Sequence, residues 1–386
     1  MTTKTTPRIA IIGAGPGGLT LARILQTRNI PTTVFERESD PDTRPQGGSL
    51  DLHPESGQLA LRLAELFEPF QAIARYEDQE GRSFNKHAQV LPAGRPVEES
   101  GDRPEIDRTE LRKLLLDSLK PGIVHWGYNL SSIRRATDGR HELHFENGVT
   151  EIFDLVVGAD GTWSHVRPLI SNAKPFYTGV TFIEFGLDNV DQDHPALAQL
   201  VGHGTMFAKG NNQGLFAQRN SHAHIRVYAG MRIPEGWETK AGFDASNPHT
   251  ARKWLFDRFA DWDQSLQALI LESNDHFVVR PLYMLPVGHR WNFHPGVTLL
   301  GDAAHLMSPF SGEGANLAML DAADLANAIS THSTLEEAVR TYEETMFPRA
   351  EDAARGAYQG VNRAVAPDAP AHKLVLSKAQ GSEQAG

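Results

Sequence analysis

The 386-residue sequence contains no cysteine. It can form no disulfide, offers no thiolate nucleophile and builds no Fe–S centre or Cys-ligated zinc site, so any redox chemistry has to come from a bound cofactor. A surplus of positive charge is also missing: 37 Lys and Arg stand against 48 Asp and Glu, for a formal net charge of −11. That balance argues against a nucleic-acid partner, which requires clustered cations along the phosphate backbone. No stretch approaches the ~20 apolar residues of a membrane helix, and the opening Met-Thr-Thr-Lys-Thr-Thr-Pro lacks the apolar core of a signal peptide. A cytoplasmic location with no membrane association is the expectation. There is no G-x-S-x-G elbow for acyl transfer. The close pairs His222/His224 and His141/His144 lack a third ligand, so no metal site is expected. No internal repeat is visible.

What is present is glycine at telling places. Residues 8–18 read as an apolar strand running into Gly13, Gly15 and Gly18, followed by the helical spacing of Leu19, Leu21, Ala22 and Leu25. Side chains at those glycines would bar a pyrophosphate from the backbone amides and helix N-terminus that bind it. A second strand over residues 32–36 ends in Glu36, placed to accept hydrogen bonds from an adenosine ribose. Residues 154–167 form another apolar strand that ends in the Asp160-Gly161 turn and trails into Arg167. Residues 297–316 give a buried strand, a turn carrying Asp302, and a Pro/Gly-rich loop that opens a helix near Gly314. Asp302 is suited to ribityl hydroxyls, and the amides around Gly314, Ala315 and Asn316 to the anionic edge of a reduced flavin. FAD is the simplest single molecule that explains all three segments.

Between them, residues 56–74 and 106–119 carry helical apolar spacing, the second stopped by Gly122. Short strand patterns at residues 123–126, 130–134, 142–145 and 150–153, with turns at Asp138 and Asn147, predict an antiparallel meander. From about residue 176 the texture becomes strand-rich (181–187, 205–208, 214–218, 224–229), with an amphipathic helix over 251–259 whose pattern Trp262 and Leu266 continue. Helices are predicted over 314–330 and from 335 to about 364. A chain of this length exceeds what one core normally supports, so two lobes are expected.

Together the three glycine-bearing segments resemble those of the class A flavoprotein monooxygenases, the p-hydroxybenzoate hydroxylase-like group. Within it, Phe-Glu-Arg at 35–37 and the segments at 47–53, 105–112, 301–314 and 336–343 resemble the tetracycline destructases most closely. The resemblance implies an α/β fold: a Rossmann-like FAD-binding domain (GR2-type; residues 1–75, 101–175 and 287–334) with an inserted β-sheet substrate domain (76–100 and 176–286). A C-terminal bridging helix (335–366) and a tail (367–386) would complete it. By the same resemblance Gly13, Gly15, Gly18, Glu36, Arg37, Arg44, Asp51, Arg108, Asp160, Asp302, Pro309, Gly314, Ala315 and Asn316 are candidate FAD contacts. Asp51 would lie near the flavin N5 edge, and Arg167 near the pyrophosphate and nicotinamide path. The implied activity is a monooxygenase, monomeric, using FAD, NADPH as co-substrate and O2 to hydroxylate a phenolic or polycyclic compound through a flavin C4a-hydroperoxide. Candidate substrate contacts are Glu184, Thr205, Phe216, Arg226, Tyr228, Pro309 and Phe310. Glu184, Thr205, Arg226 and Tyr228 depart from the polar tetracycline contacts of the destructases, and the Asp160-Gly161 pair is retained where destructases have altered it. Those departures imply a pocket of different charge and less room, in which tetracycline binds weakly or another polycyclic or phenolic compound is the substrate. Competing readings are a flavin oxidoreductase without oxygen insertion and a non-catalytic FAD-fold binding protein.

Overall fold

The computed structural model describes residues 7–43, 47–92 and 102–366. Arg44 and the tail from 367 lie outside them. The described strands are numbered β1 to β16 in chain order, and the chain divides into two units: residues 1–76, 102–179 and 281–362, and residues 77–101, 180–280 and 363–386.

The first unit is built on a five-stranded sheet ordered β16-β10-β1-β2-β6. Its strands are β1 (Ile9–Ile12), β2 (Thr32–Glu36), β6 (Val124–Trp126), β10 (Leu155–Gly158) and β16 (Val297–Leu299). All pairings in it are parallel. β1 and β10 are buried along their whole length, which is what continuous Ile and Val runs achieve when both faces of a parallel sheet are covered. The helix Pro16–Thr27 follows Gly15, which is extended, and Pro16 sits in the first turn where no amide hydrogen is needed. The register aligns Ile12 with Gly158 and Gly158 with Leu299. The three motif-bearing strands therefore end side by side, and their turns share the carboxyl edge of the sheet, the edge at which α/β sheets bind ligands.

Two smaller sheets complete this unit. β3 (Ser49–Asp51) pairs antiparallel with β5 (Glu105–Asp107), and β7 (Leu130–Arg135), β8 (His141–Phe145) and β9 (Thr150–Phe153) form a three-stranded meander. Three sequence expectations are corrected here. Val124–Trp126 joins the parallel sheet beside β2 instead of the meander. The helix expected over 56–74 is two helices, Gly57–Leu63 and Phe67–Gln71, separated where Glu65 takes a positive φ of 58°. Residues 105–107 are strand, held by β3, so the following helix spans Arg108–Asp117. The 30-residue helix Leu335–Ala364 buries Val339, Tyr342 and Met346 in the main core of this unit.

The second unit carries a six-stranded sheet ordered β15-β11-β14-β13-β12-β4. Its strands are β4 (Glu80–Asn85), β11 (Phe176–Leu187), β12 (Gly204–Gly210), β13 (Gln213–Asn220), β14 (His224–Arg232) and β15 (Val278–Met284). Strand alternation splits its residues between two faces. Ile183, Phe185, Met206, Leu215, Ala217, Ile225 and Val227 form a core with Leu255, Leu266 and Ile270. The last three lie on Pro248–Arg258, close to the helix expected over 251–259, and on Gln264–Leu271, a second helix that continues its pattern. The opposite face carries every second-unit substrate candidate.

Candidate cofactor and substrate site

The glycines at the carboxyl edge of the parallel sheet play two distinct parts. Gly13 has a φ of +110°, and a Cβ there would strike the carbonyl of Ala159. A Cβ on Gly18 would strike the carbonyl of Gly13, and one on Gly17 would come within 2.6 Å of Leu300. These three positions let the first turn lie against the turns after β10 and β16. A Cβ on Gly15 or on Gly314 would meet nothing within 4 Å. Bare backbone next to open space at the N-terminal ends of two helices is the cradle a pyrophosphate or an anionic ring edge requires.

Glu36 is buried at the end of β2, and its carboxylate accepts from the Ala14 amide at 2.7 Å and the Glu38 amide at 3.1 Å. Behind it, Arg112 donates to Glu38 at 2.8 Å and to the Pro41 carbonyl at 2.9 Å. Neither Glu38 nor Arg112 was singled out from the sequence. Arg37 is exposed. Arg108 is exposed too, at the start of its helix, where its amide bonds to the Gly48 carbonyl and its side chain borders Gly47.

Asp160 accepts from the His165 amide at 2.7 Å, while its other carboxylate oxygen is buried without a hydrogen-bond partner. Burial raises its pKa, against the pull of the Ser164 and backbone hydrogen bonds. Arg167 donates to the Thr162 carbonyl at 2.7 Å and the Ala303 carbonyl at 3.1 Å, tying the middle segment to the late one. Asp302 is exposed to solvent, although protein atoms crowd around its carboxylate. That crowding raises its pKa, opposed by His305, Arg108 and Arg167. The electrostatic reach of both arginines to one carboxylate places motifs from three parts of the chain around a single locus.

The Gly301-Asp302 turn is fixed from behind by a buried ionic network that sequence reading missed. Asp321 accepts from the Gly301 amide at 3.0 Å, from His305 at 2.6 Å and from Arg349 at 2.8 Å. Asp321 and His305 are both fully enclosed; the pairing holds the carboxyl below and the imidazole above its ordinary range even though burial opposes both. A signal existed, because Asp321 falls between Leu317 and Leu325 at spacing of one helical turn on an otherwise apolar stripe.

Asn316 proves to be a latch. Its side-chain oxygen accepts from the His53 amide at 2.9 Å and the Gly57 amide at 3.2 Å, and its NH2 donates to the Asp51 carbonyl at 2.8 Å. It brings the β3 segment to the N-terminus of the helix Gly314–Thr331, so that Gly312 lies 3.8 Å, by its virtual Cβ, from the Asp51 carboxylate. His53 bonds that carboxylate at 3.0 Å. The first intrahelical bond runs from Leu317 to Glu313, so the amides of Gly314, Ala315 and Asn316 precede the helical ladder. Pro309 and Phe310 form a single 3-10 turn. Ser308 donates to the Ala357 carbonyl at 2.8 Å, and Gly360 makes room for Phe310, whose backbone a Cβ would crowd at 3.1 Å.

On the second unit, the strand registers order the face opposite the core into rows. Phe207, Phe216, Tyr228 and Glu184 lie opposite one another across four strands, and Thr205, Gln218, Arg226 and Gly186 form the next row. The five candidates Glu184, Thr205, Phe216, Arg226 and Tyr228 thus share one face. Phe182 meets Phe216 at 5.6 Å and Tyr228 at 5.4 Å between ring centroids, giving an aromatic band. Glu184 is buried and ion-paired with both Arg226 and Arg280. Its charge is committed to two guanidiniums, and it anchors Arg226.

The matching family model is the FAD binding domain, over residues 6–241 and 284–357. The chain is 33% identical to the monooxygenase asqM of Emericella nidulans, covering 90% of this chain and 93% of that one. It is 29% identical to the 3-amino-4-hydroxybenzoate 2-monooxygenase PtmB3 of Streptomyces platensis, over 95% and 91%. Among solved structures, the tetracycline destructase Tet(55) has the same fold, with a TM-score of 0.72 at 21% identity over 95% of this chain and 92% of that one. A glycine cradle open where a dinucleotide needs it, an acid at the second strand and a late acidic turn thus coincide with a family match along most of the sequence. The chain belongs to the FAD binding domain family and is an FAD-dependent monooxygenase.

Proposed function

We propose that this enzyme hydroxylates a phenolic or polycyclic aromatic compound, taking electrons from NAD(P)H and one oxygen atom from O2. The observation that carries the reading is the common edge reached by Ile12, Gly158 and Leu299, which gathers the three motif turns at one place. There Gly13, Gly15 and Gly18 would admit the pyrophosphate, Glu36 the adenosine ribose and Asp302 the ribityl chain. Asp51, Arg108, Asp160, Pro309, Gly314, Ala315 and Asn316 would complete the FAD site. Arg37 belongs to it only by motif, since its side chain is exposed.

Bound FAD supplies the redox and oxygen-transfer chemistry. The residues of this chain bind and orient: the amides preceding the ladder of the helix Gly314–Thr331 favour negative charge beside them, and the Asp321 network keeps Asp302 in place. The aromatic band of Phe182, Phe216 and Tyr228 supports a flat substrate ring, and Arg226, anchored by Glu184, addresses its polar substituents. Tetracycline-type compounds fall within this class, as does 3-amino-4-hydroxybenzoate.

The test is direct. Purified protein should be yellow and should oxidise NADPH with O2 uptake stimulated by members of a panel of phenols, anthraquinones, tetracyclines and aminohydroxybenzoates. Mass spectrometry should find a product heavier by one oxygen atom. A colourless protein that cannot take up FAD, or stimulated NADPH oxidation with no oxygenated product from any compound, would overturn the reading.

A further inference from the structure

One half-buried cation stands on the face of the second-unit sheet opposite its core. Lys209 lies on β12 on the same face as Thr205 and Phe207, since Met206 and Ala208 point into the core. Its row across the sheet is Lys209, Gly214, Gly230 and Phe182. The two glycines between Lys209 and Phe182 bring no side chain of their own. The Phe216 ring occupies that space instead: a Cβ on Gly214 would meet it at 2.5 Å and one on Gly230 at 2.8 Å. The result is a flat aromatic floor with an ammonium at its end.

Among the described residues no carboxylate lies within ion-pair distance of Lys209, and its nearest aromatic contact is Phe207, 5.8 Å from the ring centroid. The charged groups on the flanking strands are occupied elsewhere. Lys86, following β4, is bonded to Asp261 at 2.6 Å; Arg226 and Arg280 are paired with Glu184; Arg232, at the end of β14, donates to the Val365 carbonyl at 3.3 Å. Burial with no compensating charge lowers the Lys209 pKa to about 8. A half-buried lysine with no carboxylate beside it among the described residues adds little to the stability of a sheet, because an apolar side chain would avoid the desolvation cost. It is a good way to recognise an anion that arrives with a ligand.

We propose that Lys209 is the anion-recognition residue of this face, and that the substrate is a planar aromatic carrying a carboxylate or ionised phenol which the Lys209 ammonium meets. The proposal rests on the monooxygenase reading and adds to it the charge of the substrate. A charge-assisted hydrogen bond in a partly desolvated site is worth about tenfold or more in affinity.

The experiment is calorimetric titration of the FAD-loaded enzyme with 3-amino-4-hydroxybenzoate, its methyl ester and 4-nitrophenolate. The wild type should bind at least one of the two anions about tenfold more tightly than the neutral ester, and which anion wins separates carboxylate from phenolate recognition. Lys209→Met should abolish that preference, with unchanged thermal unfolding showing that the fold is intact, and Lys209→Arg should keep it. In the wild type the preference should fade as pH rises through about 8, the range in which the lysine loses its proton, and in Lys209→Arg it should persist. Equal binding of acid and ester by the wild type, binding of neither anion, or a preference that survives Lys209→Met would overturn the proposal. Oxygenation of neutral aromatics alone, unaffected by either variant, would sink it while leaving the monooxygenase reading intact.

Discussion

The candidate cofactor positions of the first unit and the candidate substrate positions of the second are built from different materials. In the first unit, contact surfaces are backbone: carbonyls of Gly13 and Ala159 leave no room for a methyl group, and Gly15 and Gly314 expose bare amide next to open space. The turn bearing Asp302 is held by a buried network of Asp321, His305 and Arg349. In the second unit, the surface is made of side chains standing on regular strands, where Phe216, Tyr228 and Arg226 can be exchanged without touching a backbone hydrogen bond. Backbone geometry suits a cofactor that never changes. Side chains on a rigid sheet suit a substrate that differs from one relative to the next, because they can be altered one at a time.

That contrast predicts that changes in the first unit cost folding and changes in the second cost affinity. The largest effect is expected for Asp321→Asn, which leaves His305 and Arg349 facing an uncharged amide in an enclosed site; a loss of about 3–5 kcal/mol in urea unfolding is expected. A loss below about 1 kcal/mol would show that the network is dispensable and would weaken the contrast. Gly18→Ala should cost about 3 kcal/mol because its methyl group meets the Gly13 carbonyl.

The first unit should also respond to acid through His141. This side chain is buried at β8 against His294, with both ring nitrogens lacking a partner among the described residues. Burial first, and the His294 and Arg135 charges next, lower its pKa from 6.5 to about 4. Between those values the unfolded chain binds the proton and the folded chain does not, so stability falls as pH drops through this window. The loss should reach up to about 3 kcal/mol, visible as a falling urea midpoint, and His141→Leu should flatten that part of the profile.

Two milder substitutions sharpen the comparison. Gly15→Ala keeps an ordinary extended φ of −81° and meets no neighbour, so apo stability should change by less than about 0.5 kcal/mol while FAD affinity drops about tenfold or more. An FAD affinity equal to that of the wild type would remove Gly15 from the cradle. Gly214→Ala pushes on the far end of the Phe216 ring. It should cost about 1 kcal/mol or less in stability, and its main effect should be a raised KM for the aromatic substrate at unchanged kcat.

Much of the candidate cofactor site was legible in the chain because it is local: strand, glycine turn, helix and terminal acid follow one another within residues 9–36, and each is dictated by its own composition. The long helix, ending at Ala364 as expected, was equally legible from its spacing. The misread elements are those whose fate depends on a distant partner. Residues 106–107 carry a helical pattern but are strand because Ser49–Asp51 lies alongside them, and Val124–Trp126 enters the parallel sheet because β2 offers it an edge.

The same division runs through the site. Sequence alone determined that a dinucleotide turn, an acid at Glu36 and an acidic turn at Asp302 exist, because glycine and carboxylate at those spacings follow from backbone sterics and hydrogen bonding. Only the tertiary structure decided that the strands behind them end in one row, that Asn316 is a latch, that Glu184 is already paired with two arginines, and that Lys209 has no carboxylate beside it among the described residues. Pairing, enclosure and absence of a partner are properties of neighbours far apart in the chain, and no local pattern encodes them.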